Sequence, residues 1–210
     1  RAPRPQRPEF RERRDFRERP PRDDFARPES FGSGPPPGPS NPPEPREERR
    51  RIGPPAGTTW PTPWVQLKYI SNSPTIYPAM IAGASPDAKP GELVAVFGKE
   101  GRRFGSGLWN PKARVPLRVL HHGEEAVGEE LFETRLGEAL DLRQNLLALD
   151  TSTDAYRVVS SDGDGLSGLV VDRFGDTLSV EVHSLGIFQR LGRLLPLIHE
   201  RLGTKRQVIS

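Results

Sequence analysis

Apolar and polar positions change their rhythm twice along this chain, and the changes divide it into regimes. Residues 1–63 show no apolar period at all. From Trp64 a loose alternation begins. Trp64-Val65-Gln66-Leu67-Lys68-Tyr69 reads as a strand, Ser71 to Pro74 interrupts it, and Tyr77 to Ala84 is a short apolar segment, strand or single turn. Pro90-Gly91 is a turn signal before Glu92-Leu93-Val94-Ala95-Val96-Phe97, a strand. Gly98-Lys99-Glu100-Gly101 then predicts a hairpin turn with Arg102 to Leu108 returning. After Asn110-Pro111, Val115 to Leu120 is a further strand. Many short strands at close spacing argue a small β-barrel or sandwich.

Over residues 129–149 the period becomes helical. Leu131, Phe132, Leu136, Ala139, Leu140, Leu142, Leu146 and Leu147 form one stripe, with glutamates early and Arg143 late, as the helix dipole favours. From Ala155 the strand rhythm returns. Tyr156 to Ser160, Leu169 to Asp172 and Thr177 to Val182 are strands, separated by a Gly-rich turn over Asp162–Gly168 and a second turn over Arg173–Asp176. Ile187 to Leu202 is a helix with Phe188, Leu191, Leu195, Ile198 and Leu202 on its apolar face. Pro196 removes a backbone donor within it and predicts a kink or a division. Gln207-Val208-Ile209 begins another strand.

Composition separates the first regime further. Of 24 prolines, 17 fall in residues 1–63, with 14 arginines, 10 acids and no lysine. Such a segment buries too little apolar surface to offset the entropy of ordering it. Four phenylalanines, Phe10, Phe16, Phe25 and Phe31, are interleaved with its arginines. This tail reads either as a solvated tether or as an RNA-holding arm working by counterion release and stacking. The formal net charge is +3 for the whole chain, so the tail's excess of four arginines leaves residues 64–210 one charge negative. The fold class expected is α+β: a small β-barrel at 64–123, a linker helix at 124–154 and a compact α/β domain of β-hairpins around a helix at 155–210, behind a disordered tail at 1–63. The first residue is Arg1, not Met, and Ser210 stands in a nascent strand, so a piece of a longer protein is expected.

Candidate chemistry is sparse. Gly163-Asp164-Gly165-Leu166-Ser167-Gly168 spells GxGxxG, but a phosphate-cradling loop needs a helix N-terminus after it, and Leu169-Val170-Val171 reads as a strand. The glycines are better read as suppliers of positive φ in a turn. Asp162-x-Asp164-Gly165 lacks the remaining ligands of a calcium loop. His121-His122 has no further ligand at metal spacing, and the chain has no cysteine, which excludes disulfides and thiolate metal sites. No run of about 18 apolar residues suggests a membrane span. The cytoplasm is the default location. Lys99, Arg102 and Arg103 on one hairpin, with Lys112, Arg114 and Arg118 around the next strand, form a candidate phosphate-facing set or ordinary surface charge.

One stretch carries a resemblance. Ala155-Tyr156-Arg157-Val158-Val159, followed by Asp164-Gly165-Leu166-Ser167-Gly168-Leu169-Val170-Val171-Asp172-Arg173-Phe174-Gly175-Asp176, resembles the central-domain signature of bacterial S-adenosylmethionine-dependent 23S rRNA cytosine-C5 methyltransferases of the large-subunit methyltransferase I type. Arg135-Leu136 through Arg143 is similar to that family's preceding helix. Pro90 to Val94, Gly101 to Gly107, Asn110-Pro111 and Leu117 to Leu120 keep the order and spacing of its PUA domain. Departures occur at Tyr77–Gly83, where the family has His-Pro-Trp-Val-Phe-Ser-Gly, and at Ser71–Pro74, where basic residues are usual.

The resemblance implies a PUA barrel that docks ribosomal RNA, with Lys99, Arg102, Arg103, Lys112, Arg114 and Arg118 as the RNA-facing residues. It implies a central domain beside the barrel and a further Rossmann-like domain, absent from this chain, that binds S-adenosylmethionine. In that family a Cys thiolate adds to C6 of cytosine before C5 takes the methyl group. Tyr156, Gly165, Gly168, Asp172 and Arg173 are expected to be structural. No catalytic, cofactor-binding or metal-binding residue is expected within these 210. The alternatives are a non-enzymatic PUA-type RNA-binding or ribosome-assembly factor, and a central domain serving homo-oligomer formation.

Overall fold

A computed structural model describes residues 52–210, and the expected tail over 1–51 lies outside them. The first layer is a six-stranded sheet of β1 (Trp64–Leu67), β2 (Thr75–Ile76), β3 (Ile81–Ala84), β4 (Leu93–Phe97), β5 (Arg103–Trp109) and β6 (Leu117–His122). Its order is β2-β6-β5-β4-β1-β3. Strands β1 and β4 run parallel, while the other pairs are antiparallel. The two outermost strands, β2 and β3, are joined only by Tyr77 and the 3-10 turn Pro78–Met80. Four residues cannot span a flat six-stranded sheet, so the edges are held close and the sheet curls into a barrel.

Alternation fills the barrel. Val65, Leu67, Ile76, Val94, Val96, Trp109, Leu117 and Val119 make its buried interior. Where β6 crosses β5, a Cβ on Gly107 would lie 2.5 Å from the Arg118 carbonyl oxygen, so only glycine admits that approach.

The outward faces of β1 and β4 are covered as well. Trp64, Ala95 and Phe97 form a second cluster with Trp60, which stacks on Phe97 with ring centroids 4.0 Å apart and meets Trp64 edge-on at 4.9 Å. Residues 52–63 therefore pack on the barrel, although their Pro/Gly-rich composition assigned them to the tail. Gly53 donates its N–H to buried Gln66 Oε1 at 3.0 Å, and Ser85 Oγ accepts the N–H of Trp64 at 2.9 Å.

The second layer begins with α1 (Glu130–Asp141). The helix predicted over 129–149 does not run to its end. At Leu142–Leu146 it widens into a π turn, and Ala148 in the left-handed region closes it before the 3-10 turn Leu149–Thr151. The physical reason is Arg143, drawn inward to a buried carboxylate on the sheet below. Leu146 and Leu147, counted on the apolar stripe, consequently face outward, at 77% and 54% exposure.

Strands β7 (Ala155–Ser160), β8 (Leu169–Phe174) and β9 (Thr177–Val182) form an antiparallel meander. Helix α2 (Leu185–Leu202) then crosses back to β10 (Arg206–Ile209), which pairs parallel to β9. Pro196 does not divide α2; the helix runs through it from Leu185 to Leu202. Pro196 and Gly192, one turn earlier, both lie on the exposed face, so water can satisfy the carbonyl that proline leaves free. Phe188, assigned to the apolar face, is 60% exposed, and Ile187 and Leu194 are buried instead.

Phe132, Leu136, Ala139 and Leu140 of α1 pack with Leu191, Leu195 and Ile198 of α2 over Val158, Val171, Leu178 and Val180 of the sheet. Segment 124–154, read from sequence as a linker, thus supplies core. Leu108 and Leu120 from the barrel join the same cluster, so barrel and α/β domain share apolar contact. Polar ties reinforce it: Arg190 donates to the Gly91 carbonyl at 2.9 Å, and Arg135 to that of Leu120 at 3.4 Å.

Candidate nucleic-acid interface

Strand direction decides where the six candidate cations lie. β1 and β4 finish, and β5 starts, at one end of the barrel; Lys99, Arg102 and Arg103 belong to the turn and strand start there. Lys112 and Arg114 occupy the loop between the finish of β5 and the start of β6, at the opposite end. The seven residues of β5 separate the two groups, a span of roughly 20 Å. The six residues thus do not form one patch.

Two of the six are engaged inside the protein. Arg118 lies on the outer face of β6, where its guanidinium donates to Ser167 Oγ at 3.1 Å and to the His183 carbonyl at 3.4 Å. It bridges the barrel to the α/β domain. Arg103 donates to the hydroxyl of buried Ser106 at 3.0 Å, and its Nε is itself shut off from solvent. Lys99, Arg102, Lys112 and Arg114 are exposed. Sequence spacing could not make this distinction, because a bridging and a free arginine sit equally well on a strand.

At the barrel end that carries Lys99, His121 and His122 close β6. Burial, assisted by the neighbouring charge of His121, pushes His122 below the usual imidazole range. Among the described residues there is no group of three or more His, Cys, Asp or Glu placed to hold a metal, and no helix is long and apolar enough to cross a membrane.

The GxGxxG stretch connects β7 to β8 through a 3-10 turn at Ser161–Asp164, and no helix follows it. Gly165 and Gly168 have φ of 67° and 92°, the left-handed conformations the turn requires. Asp164 accepts both guanidinium N–H groups of Arg143, at 2.7 and 2.9 Å, and the N–H of Ser160 at 2.5 Å. The side chain of Arg135 covers Gly165. This loop therefore offers no open backbone nest, and S-adenosylmethionine does not fit it.

The signature residues beyond the turn make structural pairs. Asp172 accepts two hydrogen bonds from Arg157, at 2.9 and 3.0 Å. Arg173 reaches Asp150 at 2.7 Å, and the Tyr156 hydroxyl donates to the same carboxylate oxygen at 2.7 Å. Burial alone would raise the Asp150 carboxyl, but hydrogen bonds from Tyr156 and Gln144 and the charge of Arg173 outweigh it and hold it below the usual range. Burial, together with the hydrogen bond to Asp150, pushes the Tyr156 phenol up. A groove of about 510 Å³ between α1 and α2 is lined by Glu133, Glu200 and Arg201 among apolar residues; its two carboxylates repel phosphate.

Comparisons with known proteins agree with this architecture. Residues 63–122 match the family model described as a PUA-like domain. A ribosomal RNA large subunit methyltransferase of Deinococcus radiodurans is 33% identical over 140 residues, 65% of this chain and 34% of that protein. The ribosomal RNA large subunit methyltransferase I of Erwinia tasmaniensis is 31% identical over 130 residues, 61% of this chain and 33% of that protein. A solved structure of SMU.776, a candidate methyltransferase complexed with SAH, shares the fold with a TM-score of 0.52 at 14% identity, covering 70% of this chain and 40% of that one. The chain spans about a third of the length of the curated relatives it matches. Its residues 63–122 are thus similar to PUA-like domains, and about 60% of the chain is similar to a third of the ribosomal RNA large subunit methyltransferases.

Proposed function

We propose that these 210 residues are the RNA-docking and central portion of an S-adenosylmethionine-dependent enzyme that methylates C5 of a cytosine in ribosomal RNA. The observation that carries this reading is the extent of the homology. It covers about 60% of the chain, more than the PUA-like barrel alone occupies, in proteins named ribosomal RNA large subunit methyltransferases. A barrel that docks RNA and an α/β domain packed on it would hold the substrate, while methyl transfer belongs to the part of the longer protein that corresponds to the unmatched two thirds of the relatives.

S-adenosylmethionine supplies the methyl group in this reading. The glycine-rich turn at 163–168 does not fit it, since that turn leads into β8 and is filled by Arg135 and the Arg143–Asp164 pair. The cofactor would be held elsewhere in the longer protein, and this portion's task is binding and orientation. A cytoplasmic location follows from ribosomal RNA as substrate.

Calorimetric titration of S-adenosylmethionine into the full-length gene product and into this 210-residue chain tests the reading. Binding by the full-length protein alone supports it. Binding by neither favours an RNA-binding or ribosome-assembly factor without methyltransferase activity. Binding by the 210-residue chain overturns the division of labour between the two parts.

A further inference from the structure

Two ion pairs cross from α2 to α1 along their length, Arg193 to Glu133 and Arg201 to Asp141. Midway between them, one turn in from each pair, stand Gly137 on α1 and Leu197 on α2. A Cβ on Gly137 would meet nothing within 4 Å. With no side chain at that position, the helices leave between them the groove of about 510 Å³, whose apolar lining is Leu136, Leu140 and Leu197. Leu136 and Leu140 are buried, while Leu197 is 37% exposed. The groove is thus an apolar seat open at the surface, with an ion pair at either end.

Its rim is acidic. Glu133 and Glu200 line it, and Glu138 follows Gly137. Arg201, the one cation in the lining, is already held by Asp141. Among the described residues neither Glu138 nor Glu200 forms an ion pair, and both are exposed. Carboxylates around an apolar seat attract a cationic partner. A second copy docked symmetrically would set these same carboxylates against each other. The groove also lies away from Ser210, whose carbonyl accepts the N–H of Val182 and which borders Leu185 and Phe188 at the start of α2. Leu185 and Glu200 are roughly 20 Å apart along that helix.

Two helices with an open groove between them present the packing surface for a third, as ridges fit grooves. We infer that this groove docks a cationic amphipathic helix of a partner protein. An apolar side chain of that helix enters over Gly137 and rests on Leu136, Leu140 and Leu197, and its lysines or arginines pair with Glu138 and Glu200. The missing side chain at 137 is what admits it, at a cost in helix propensity to α1.

Fluorescence anisotropy on the full chain tests this with a labelled synthetic helix of about 16 residues, long enough to hold helical structure, carrying leucines on one face and lysines on the other. The controls are the same composition scrambled so that no face forms, and the same helix with glutamates for lysines. The lysine helix is expected to bind more tightly than either, and more weakly as salt rises. Gly137→Met fills the groove and should weaken binding about tenfold or more, with a thermal midpoint no lower than the parent's. Leu197→Asp, at an exposed position on the opposite wall, should weaken it as well. Glu138→Lys/Glu200→Lys should weaken binding and flatten its salt dependence. Unchanged affinity in Gly137→Met and Leu197→Asp overturns the apolar seat. Equal binding of the glutamate helix, or unchanged affinity in the double charge variant, overturns the cationic partner. Self-association of the chain that Gly137→Met abolishes gives the groove to a second copy and overturns the proposal. Binding by the 210-residue chain but not by the full-length gene product gives the groove to the rest of the longer protein and overturns it too, as does no binding by either.

Discussion

Arg143 and Asp164 face each other through two parallel hydrogen bonds of 2.7 and 2.9 Å, with side chains about 10% and 8% exposed. The arginine leaves a helix and the aspartate a turn, so the pair fastens α1 to the β7–β8 connection. Arg143 also donates to the carbonyls of Ala139 and Arg157. Removing one partner strands a buried charge, which costs about 3–5 kcal/mol. Asp164→Ala is therefore expected to lower the urea-unfolding free energy by about that amount. Asp164→Asn, which keeps one acceptor, should cost less. An unchanged midpoint in Asp164→Ala would mean that the turn is held by its glycines alone.

Gly107 supplies a contrasting, purely steric test. The 2.5 Å separation between its added Cβ and the Arg118 carbonyl oxygen is set by backbone on both sides, and no rotamer can relieve it. Gly107→Ala should push β6 off β5 and destabilise the barrel by about 1–3 kcal/mol. Gly137→Ala on half-buried helical surface, where nothing lies within 4 Å of the added Cβ, is expected to stabilise by roughly half to 1 kcal/mol. Thermal midpoints of the two variants should move in opposite directions.

Much of this fold was legible in periodicity. Val94 and Val96 alternate into the barrel, Thr177 to Val182 alternates as β9, and Gly165 and Gly168 take the positive φ that their place between two strands requires. Local pattern failed where a distant partner decided the outcome. Leu146 fits the helical stripe, but the pull of Asp164 on Arg143 turns the helix before it. Trp60 lies in Pro/Gly-rich sequence, yet Phe97, 37 positions on, gives it a ring to stack on. The candidate interface was legible as residue type only. Lys99 in its turn and Arg118 on its strand look alike as cations; strand direction and Ser167 separate an exposed cation from a bridging one. Tyr69 was read as the end of a strand, and its exposure beside Lys99 depends on the β4–β5 turn reaching Ile70.

Acid and alkali should reach the Asp150, Tyr156 and Arg173 cluster by separate routes. Asp150 titrates below its usual value in the folded protein. Its contribution is thus full above the unfolded carboxylate pKa of about 4 and is lost as pH falls through the folded value. Tyr156 titrates above its usual value, so its contribution is full below about pH 10 and is lost as pH rises beyond it. Urea midpoints measured from pH 3 to 11 should decline at both extremes. Asp150→Asn is expected to make the acid decline shallower, and Tyr156→Phe the alkaline one. A parallel acid decline in Asp150→Asn would assign it to other carboxylates.

The boundary of the folded chain gives a prediction that bears on every truncation experiment. Composition places the boundary at residue 63, but Trp60 is 7% exposed, stacks on Phe97 and closes the outer faces of β1 and β4. Removing a buried tryptophan side chain costs about 3–5 kcal/mol, and Gly53 and Pro55 add their ties to Gln66 and Gly101. A chain starting at residue 64 is accordingly expected to unfold at lower urea concentration than the parent, and Trp60→Ala should reproduce most of that loss. A chain starting at residue 52 should keep the parent's midpoint, because every contact just named is retained. Loss of RNA affinity in the first truncation would then report a damaged barrel, and only the second would measure what the arginine-rich segment contributes. Equal midpoints for chains starting at 52 and 64 would show instead that Trp60 covers the barrel without stabilising it.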